Sequence, residues 1–300
     1  MAADLVGRTV TVSAPATSAN LGPGFDHLGL AFDLRQAATL RVTETGFTAA
    51  VTGEGADTVP RDGSHLILRS AVAALADLGR EVPGLALTAD NVIPHGRGLG
   101  SSAAAIIAGL FAGTVLAGVD PEPERLLGLA NELEGHADNV AAALLGGLVI
   151  AYPEPDRVGA VSVPVHPELG ATVYLPDTSV PTSEARGLLP AEVPHSDAAA
   201  NAGRAALLVE ALSRTPDLLL PATEDRLHQR YRRTAMPESY DLLELLRSKG
   251  FAAVVSGAGP SVLVLGRAPS LAGLPEHPGF RRRSLAIGAG ARVEPPAAAV

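Results

Sequence analysis

The sequence contains no cysteine. This absence excludes disulfide bonds, thiolate metal ligands and a cysteine nucleophile, and it is consistent with a reducing compartment such as the cytoplasm. Lysine is nearly absent as well, since Lys249 is the only one in the chain. Arginine must therefore supply almost all cationic groups. Arginine is a poor proton acceptor, and with a single lysine in the chain a lysine general base is nearly excluded.

Positive charge is scarce overall. The net charge is −9 and the isoelectric point is about 5.4, which disfavours nucleic acid or an anionic membrane as the partner. The amino terminus has no basic segment followed by an apolar core, so no signal peptide is expected. A long uncharged run, Ala103 to Val119, is interrupted by glycines and falls short of the about 20 apolar residues of a membrane-spanning helix. We therefore expect a cytoplasmic protein with a buried helix here.

A glycine-rich segment leads directly into that helix. Its residues are Pro94, His95, Gly96, Arg97, Gly98, Leu99, Gly100, Ser101, Ser102, Ala103 and Ala104. Glycines let backbone N–H groups turn inward, and a helix start adds unpaired N–H donors with a partial positive charge. The two serines could cap the helix or offer oxygens to a phosphate or metal. The segment lacks the lysine of a Walker loop and the glycine spacing of a dinucleotide site, yet it predicts an anion site.

The full string from Pro94 to Ala104 resembles the phosphate-binding motif of the GHMP small-molecule kinases. The resemblance implies that this segment binds ATP. It also implies an α+β fold of two lobes with the active site between them. Residues 1–155 would form an S5-like α/β lobe that binds ATP, and residues 156–300 a ferredoxin-like α+β lobe that completes the substrate site. The helix before the motif begins with His65, which either lines the nucleotide pocket or is a plain surface histidine.

A second motif lies near the amino terminus. Its proline, glycine and serine content predicts a long loop from Ala14 to Gly29, which apolar side chains would anchor. The string from Asn20 to Asp26 resembles the signature of the homoserine kinases, a family within the GHMP kinases. The resemblance implies that Asn20 and Asp26 contact an amino-acid substrate. A carboxylate is suited to bind the α-ammonium group.

An acidic helix end suggests a metal site. Glu132 and Glu134 precede the string from His136 to Asn139, and Mg²⁺ prefers carboxylate, hydroxyl and phosphate oxygens. Without the neighbouring phosphate motif, a solvated helix end would be a reasonable interpretation. The resemblance implies a Mg²⁺-binding glutamate here, either Glu132 or Glu134, with Ser102 as a second ligand. The pairing of Glu132 with Leu133 favours Glu132.

The same string carries the expected catalytic residues. The resemblance assigns catalytic roles to Ser102, His136 and Asn139, and it also places Asn139 beside the substrate. An asparagine cannot accept the substrate's proton. We therefore expect phosphoryl transfer without a strong protein base, in which the hydroxyl is positioned and the metal and backbone donors stabilise the transferred group.

The second half of the chain supplies further candidates. The resemblance implies that Thr182 and Arg186 bind substrate, with Arg186 on its carboxylate. It also implies a second carboxylate contact, for which Arg232 is chosen although Arg230 stands where the family commonly has proline. The segment from Ser256 to Ser261 matches the third motif of the GHMP kinases. Its glycines, Gly257 and Gly259, would let the backbone approach the substrate closely.

Four segments thus match one family in the expected order. The resemblance implies transfer of the γ-phosphate of ATP to the hydroxyl of L-homoserine, giving O-phospho-L-homoserine in threonine biosynthesis, with Mg²⁺ and a homodimeric enzyme. Two alternatives remain open. One is a GHMP kinase for another small alcohol, such as mevalonate or shikimate, although Asp26 with Arg186 suits a zwitterion. The other is a non-catalytic sensor of nucleotide and ligand, although Ser102 and a nearby glutamate suit catalysis.

Overall fold

The computed structural model describes residues 4–295, and these form two β-sheets flanked by helices. The strands in chain order are β1 (Thr9–Asn20), β2 (Gly24–Val42), β3 (Gly46–Gly53), β4 (Gly84–Asn91), β5 (Leu148–Pro153), β6 (Val158–Val163), β7 (Leu169–Pro176), β8 (Ala252–Val255), β9 (Val262–Arg267), β10 (Phe280–Leu285) and β11 (Arg292–Val293).

Nine α-helices lie within the described residues: α1 (Leu66–Asp77), α2 (Ser101–Leu116), α3 (Pro123–Glu134), α4 (Asp138–Leu145), α5 (Thr182–Gly187), α6 (His195–Ser213), α7 (Leu219–Ala222), α8 (Pro237–Ser248) and α9 (Ala268–Leu271). Two 3₁₀ segments, Pro216–Leu218 and Arg230–Ala235, connect some of them. No helix in this part of the chain is long and apolar enough to cross a bilayer.

The two sheets divide the chain unevenly. The first has the order β11-β1-β2-β4-β3, with β5 paired to β2 and β6 paired to β5, and the second has the order β10-β7-β9-β8. Strands β3 and β4 are parallel and joined through α1, whereas the other pairs are antiparallel. This is the predicted α+β architecture. The division expected after residue 155 separates β5 from β6, although these strands pair, and the chain returns to the first sheet at β11.

The loop predicted from Ala14 to Gly29 is wrong, because this segment is a β-hairpin. Strands β1 and β2 pair antiparallel almost to the tight turn of residues 21–23, with register shifts between Pro15 and Thr17 and between Ala19 and Asn20. Asn20 and Asp26 have φ angles of 68° and 59°. Irregular strands tolerate proline and turn side chains out of the usual alternation. The loop-like composition therefore reflects distorted strands that aim Asn20 and Asp26.

Helix α2 packs unusually closely on α1. A Cβ atom on Gly109 would lie 2.3 Å from the Ile67 carbonyl oxygen, and one on Gly113 would lie 2.4 Å from the Ala71 carbonyl oxygen. Only glycine permits this approach of two helix backbones. The helix predicted from the uncharged run is therefore a buried core helix. The close packing on α1 fixes the position of α2 and therefore of its first turn, which begins at Ser101.

Candidate active site

A cavity of about 320 Å³ lies where the glycine-rich segment meets the second half of the chain. Three groups make up much of its lining. The apolar part comes from the first lobe, the glycine loop (residues 94–102) supplies backbone, and the polar part carries two arginines. The apolar part consists of Val51, Val59, Pro60, Leu66, Ile67 and Ala89, and the polar part of Asn20, Thr182, Arg186 and Arg232.

The glycines of the loop are required by close contacts. A Cβ on Gly98 would lie 2.0 Å from the Ser256 carbonyl oxygen, and one on Gly100 would lie 1.9 Å from Thr17 Oγ1. Gly100 is the N-cap of α2 with φ 63°, and it makes no side-chain cap bond. Ser101 and Ser102 are therefore not caps, contrary to one sequence expectation, but first-turn residues. The first N–H groups of α2 remain available to an anion at the cavity.

Most residues predicted to bind ATP line the cavity, but three do not. Pro94, Gly96, Gly98, Leu99, Gly100, Ser101 and Ser102 line it. Arg97 instead donates to the carbonyl oxygens of Pro176 (2.9 Å) and Asp177 (2.8 Å), so its side chain joins the two lobes. Ala103 and Ala104 are fully buried in the core. Their side chains cannot contact ATP, because the inner face of α2 packs on the sheet rather than on the cavity, and only backbone N–H groups at the start of α2 could do so.

His65 lies in the wall of the cavity, and the surface-histidine alternative is wrong. Its side chain is buried, and Nδ1 accepts the Ile67 N–H at 3.2 Å, which caps α1. Burial, with a smaller effect of nearby His95, lowers the pKa of His65. The ring is therefore neutral at physiological pH, with its proton on Nε2.

Glu134, not Glu132, lies beside Ser102. Ser102 Oγ donates to Glu134 Oε1 at 2.5 Å, and both residues line the cavity. Glu132 is exposed and outside the lining, so the preference for Glu132 is corrected. The reason is helical periodicity: positions two apart on α3 point in different directions. A carboxylate and a hydroxyl at this distance fit Mg²⁺. Because the described residues contain no cluster of three or more acidic or histidine ligands, phosphates and water would complete its shell.

The predicted catalytic string lies at the start of α4, against the glycine loop. Asn139 Oδ1 accepts from Thr17 Oγ1 at 2.8 Å, and the Asn139 N–H donates to Asp138 Oδ1 at 2.7 Å. His136 Nδ1 lies 3.5 Å from the same carboxylate oxygen. Asp138 raises the pKa of His136 against the opposing effect of burial. His136, Asp138 and Asn139 all line the cavity.

Asp26 and Arg186, predicted to bind opposite charges of one substrate, bind each other. Arg186 donates from Nη2 to Asp26 Oδ1 (2.7 Å) and from Nη1 to Asp26 Oδ2 (3.0 Å). This bidentate pair is half-buried, and hydrogen bonding to Asp26 raises the pKa of Arg186. Only Arg186 of the two lines the cavity. The pair presents a compensated charge at the polar part.

Arg232 is a buried cation that reaches the cavity. Its side chain is 1% exposed, and Nη1 donates to the Gly257 carbonyl oxygen at 3.1 Å. Its Nε has no hydrogen-bond partner among the described residues. Burial, with the charge of Arg186, lowers the pKa of Arg232 to about 10, so it remains protonated at neutral pH. Arg230 instead pairs with Asp197 and does not line the cavity, which agrees with the choice of Arg232.

The third motif is fastened to the other two. Asn20 Nδ2 donates to the Gly257 carbonyl oxygen at 2.8 Å, while Asn20 Oδ1 accepts the Asp26 N–H at 2.9 Å. Ser256 Oγ lies 2.6 Å from the Gly98 carbonyl oxygen and 2.9 Å from Ser18 Oγ. A carbonyl can only accept, so Ser256 donates to Gly98 and accepts from Ser18. Gly257 and Gly259 line the cavity with positive φ angles.

Comparison with known proteins shows which family has this arrangement of residues. The GHMP kinases N terminal domain matches residues 65–147, and the GHMP kinases C terminal domain matches residues 198–273. Homoserine kinase of Streptomyces coelicolor is 54% identical over 259 residues, which cover 85% of this chain and 84% of that protein. Homoserine kinase of Leifsonia xyli is 54% identical over 267 residues, covering 87% and 82%.

The chain belongs to the homoserine kinase family of the GHMP kinases. The expected kinase class is therefore confirmed. The fold agrees with the crystal structure of homoserine kinase from Cytophaga hutchinsonii, with a TM-score of 0.83, 28% identity, and coverage of 95% of this chain and 97% of that one. Mevalonate diphosphate decarboxylase from Enterococcus faecalis, 14% identical, shares the fold with a TM-score of 0.65, covering 95% and 98%.

Sequence reasoning missed several residues that build this homoserine kinase site. Thr17 and Ser256 were inside the quoted motifs, but small hydroxyl residues are typical of turns and gave no separate signal. Asp138 was inside the catalytic string without a role of its own. Nothing in the sequence showed that Thr17 hydrogen-bonds Asn139 and Ser256 hydrogen-bonds Gly98, since these partners are far apart in the chain. Nor did it show that Asp138 accepts from Asn139.

Proposed function

We propose that this chain transfers the γ-phosphate of ATP to the side-chain hydroxyl of L-homoserine and releases O-phospho-L-homoserine, a reaction of threonine biosynthesis. The observation that carries the proposal is that one cavity is lined both by the glycine loop and by Arg186 and Arg232. The curated relatives that this chain matches over most of their length are named homoserine kinases. The proposal includes a cytoplasmic location, which the absence of cysteine favours, and a homodimer.

ATP would occupy the apolar part and the glycine loop. Apolar walls suit a nucleobase, and His65 offers a neutral ring with an Nε2–H donor beside them. The N–H groups at the start of α2 would bind phosphate oxygens, since the helix dipole and unpaired donors favour an anion there. Ser102 and Glu134 would hold Mg²⁺, which supplies charge neutralisation to the phosphates when bound.

The polar part suits a zwitterion better than a simple anion. Asp26 and Arg186 already satisfy each other, so a ligand that separates them must replace both partners. An amino acid does so, because its carboxylate can pair with Arg186 and its ammonium group with Asp26. A monoanion such as mevalonate would leave the Asp26 carboxylate without a cation, which is costly at a half-buried site. Arg232 would be the second carboxylate contact.

The substrate hydroxyl would be positioned rather than deprotonated beforehand. Asn139 has no basic atom, and its amide is held by Thr17 at Oδ1 and by Asp138 at Nδ2 (3.3 Å) where it lines the cavity. Asp138 accepts the Asn139 N–H and raises the pKa of His136, whose protonated form would suit a position near the phosphates. A loose phosphoryl-transfer transition state requires little activation of the nucleophile. Orientation and fixed donors would therefore supply most of the catalysis.

A coupled ADP-release assay with ATP and Mg²⁺ tests this proposal. It should be run in parallel on L-homoserine, L-threonine, L-serine, mevalonate and shikimate, with the phosphorylated product identified by mass spectrometry. Strong preference for L-homoserine is the expected result. Faster turnover of mevalonate or shikimate would contradict the substrate assignment. ATP binding without turnover of any of the five would favour the sensor alternative.

A further inference from the structure

A buried histidine, His228, lies behind the polar part and does not itself line the cavity. Its side chain is fully buried. Nδ1 lies 3.1 Å from Arg232 Nη1, and Nε2 lies 2.8 Å from the carbonyl oxygen of Gly22, in the turn between β1 and β2. The ring thus connects the cation of the polar part to the hairpin that carries Asn20 and Asp26.

The partners of the two nitrogens determine the protonation state of His228. A guanidinium can only donate, so Nδ1 is the unprotonated acceptor of the Arg232 bond. The Gly22 carbonyl can only accept, so Nε2 carries the proton. Burial, together with Arg232, lowers the pKa of His228 against the opposing effects of Asp225, Asp26 and the Gly22 carbonyl. A neutral ring is required, because a protonated one could not accept from Arg232.

The contacts around the ring fix its plane. Phe25 stacks on His228 with ring centres 5.1 Å apart and an interplanar angle of 26°. The guanidinium carbons of Arg186 and Arg232 lie 5.8 Å and 5.7 Å from the centre of the same Phe25 ring. Phe25 therefore contacts all three side chains, and rotation of His228 would disturb both arginines.

The backbone of His228 is fixed as well. Asp225 Oδ2 accepts the N–H groups of His228 (3.1 Å) and Gln229 (2.7 Å), and its side chain is fully buried. Gln229 Oε1 in turn accepts the Val255 N–H at 2.6 Å, which ties the segment to β8. His228 therefore has a rigid base from which to hold Arg232.

We propose that His228 is a positioning residue that orients the Arg232 guanidinium toward the carboxylate of the substrate. His228 Nδ1 and the Gly257 carbonyl oxygen both accept from Nη1, which fixes the plane of the guanidinium, and Arg232 lines the cavity. This inference rests on the proposed function, in which Arg232 binds the homoserine carboxylate. It adds that the neutral histidine behind Arg232 sets the affinity for homoserine and leaves the affinity for ATP unchanged.

Two amide variants separate the bonds of His228. In His228→Asn the side-chain oxygen takes the place of Nδ1, so the acceptor for Arg232 remains. In His228→Gln the amide nitrogen reaches the place of Nε2, so the bond to Gly22 remains and the acceptor for Arg232 is lost. We expect His228→Gln to raise the KM for L-homoserine about tenfold, with kcat and the KM for ATP within about twofold of wild type. His228→Asn should raise the homoserine KM clearly less.

Equal effects of the two variants on the homoserine KM, or a parallel rise of both KM values, would overturn the inference and leave His228 a structural residue. Thermal unfolding of each variant checks that the fold is retained. If both variants fail to fold, nitrogen NMR of the wild-type imidazole decides. An Nε2–H tautomer whose Nδ1 signal shifts on addition of L-homoserine is expected, and a protonated Nδ1 would contradict the proposal.

Arg232→Gln, with Arg230→Gln as its matched control, separates this inference from the proposed function. Arg232→Gln should raise the homoserine KM more than either histidine variant, and Arg230→Gln should not change it. An unchanged KM in Arg232→Gln would overturn the role of Arg232 itself. A raised KM in Arg232→Gln with wild-type values in His228→Gln would overturn only the positioning role. Adding His228→Gln to Arg232→Gln should cause little further loss, because both act through one guanidinium.

Discussion

The glycine loop presents backbone groups from one continuous segment, residues 94–102, whereas the polar part collects side chains from β1, α5 and the 3₁₀ segment Arg230–Ala235. The loop depends on what is missing, since Cβ atoms on Gly98 or Gly100 would overlap neighbouring atoms. The polar part depends instead on charged side chains that pair with each other, as Arg186 does with Asp26. In the proposed site, phosphate recognition would thus be a local property of this chain, and substrate recognition a property of its tertiary contacts.

The loop should be the less tolerant of the two. Gly98→Ala would push a methyl group to within 2.0 Å of the Ser256 carbonyl oxygen, so loop and third motif must separate. We expect kcat/KM for ATP to fall by more than about 100-fold, since small misplacements of positioning groups have effects of this size. Steady-state kinetics with varied ATP measure the effect.

Gly147→Ala is the matched control for Gly98→Ala. Gly147 also has a positive φ angle, 60°, but its nearest neighbour is a side-chain carbon 3.9 Å away. It should lose about 1 kcal/mol of stability from backbone strain while keeping its activity. A comparable loss of activity in both variants would mean that strain, rather than close approach at the loop, controls catalysis.

The proposed Mg²⁺ position beside Ser102 and Glu134 should give the next largest effect. Glu134→Gln keeps an acceptor for Ser102 but removes the negative charge. We expect an activity loss of about 100-fold that is partly recovered at high Mg²⁺. Glu132→Gln, on the same helix but exposed, should behave like wild type. Titrations of activity against Mg²⁺ for the two variants distinguish them, and a stronger effect at Glu132 would return the assignment to that residue.

A substitution at Arg186 should impair binding of homoserine without impairing binding of ATP. Arg186→Ala would remove the proposed carboxylate contact, and it leaves Asp26 without its cation. We expect the homoserine KM to rise by about 30-fold or activity to be lost, with ATP affinity nearly unchanged because the loop is intact. Calorimetry with an ATP analogue and kinetics with varied L-homoserine provide the two readouts. Loss of both affinities together would contradict the separation of the two regions.

A smaller effect is expected where one hydroxyl joins the hairpin to the catalytic string. Thr17→Val removes the donor to Asn139 Oδ1 with little change of shape. We expect kcat to fall about fivefold, as for loss of one neutral hydrogen bond. Thr17→Ser retains the hydroxyl and should recover most of the rate in the same assay. Equal rates in the valine and serine variants would show that Asn139 does not depend on this bond.

The smallest effect concerns pH and stability. Asp138 raises the pKa of His136, so the folded protein binds this proton more tightly than the unfolded chain does. The stabilisation is present at pH below the ordinary histidine pKa and is lost as pH rises through the folded value. Wild type should exceed His136→Gln in stability by less than about 1 kcal/mol at mildly acidic pH, with the difference vanishing at alkaline pH. Thermal unfolding across this range measures it, and a growing difference would contradict the sign.

The comparison also explains which structural features the sequence indicated. A glycine-rich turn that leads into a helix, as at Gly96 to Gly100 before α2, could be predicted because glycine spacing and helix starts are local. Glu134 could not be chosen over Glu132, because the decision depends on which face of α3 meets Ser102. The loop predicted around Asn20 failed for a related reason. Composition indicated turn residues, while pairing with β2 along the sheet made them distorted strand.

The sequence by itself determined the family, the phosphate loop and the absence of thiol and lysine chemistry, since these depend on residue type and short spacing. Only the tertiary structure decided the rest: that Asp26 pairs with Arg186, that Arg97 leaves the cavity to bridge the lobes, and that a neutral histidine lies behind Arg232. These features join positions far apart in the chain. The energies of these ion pairs and hydrogen bonds depend on burial and distance, which cannot be predicted from a local pattern of residues.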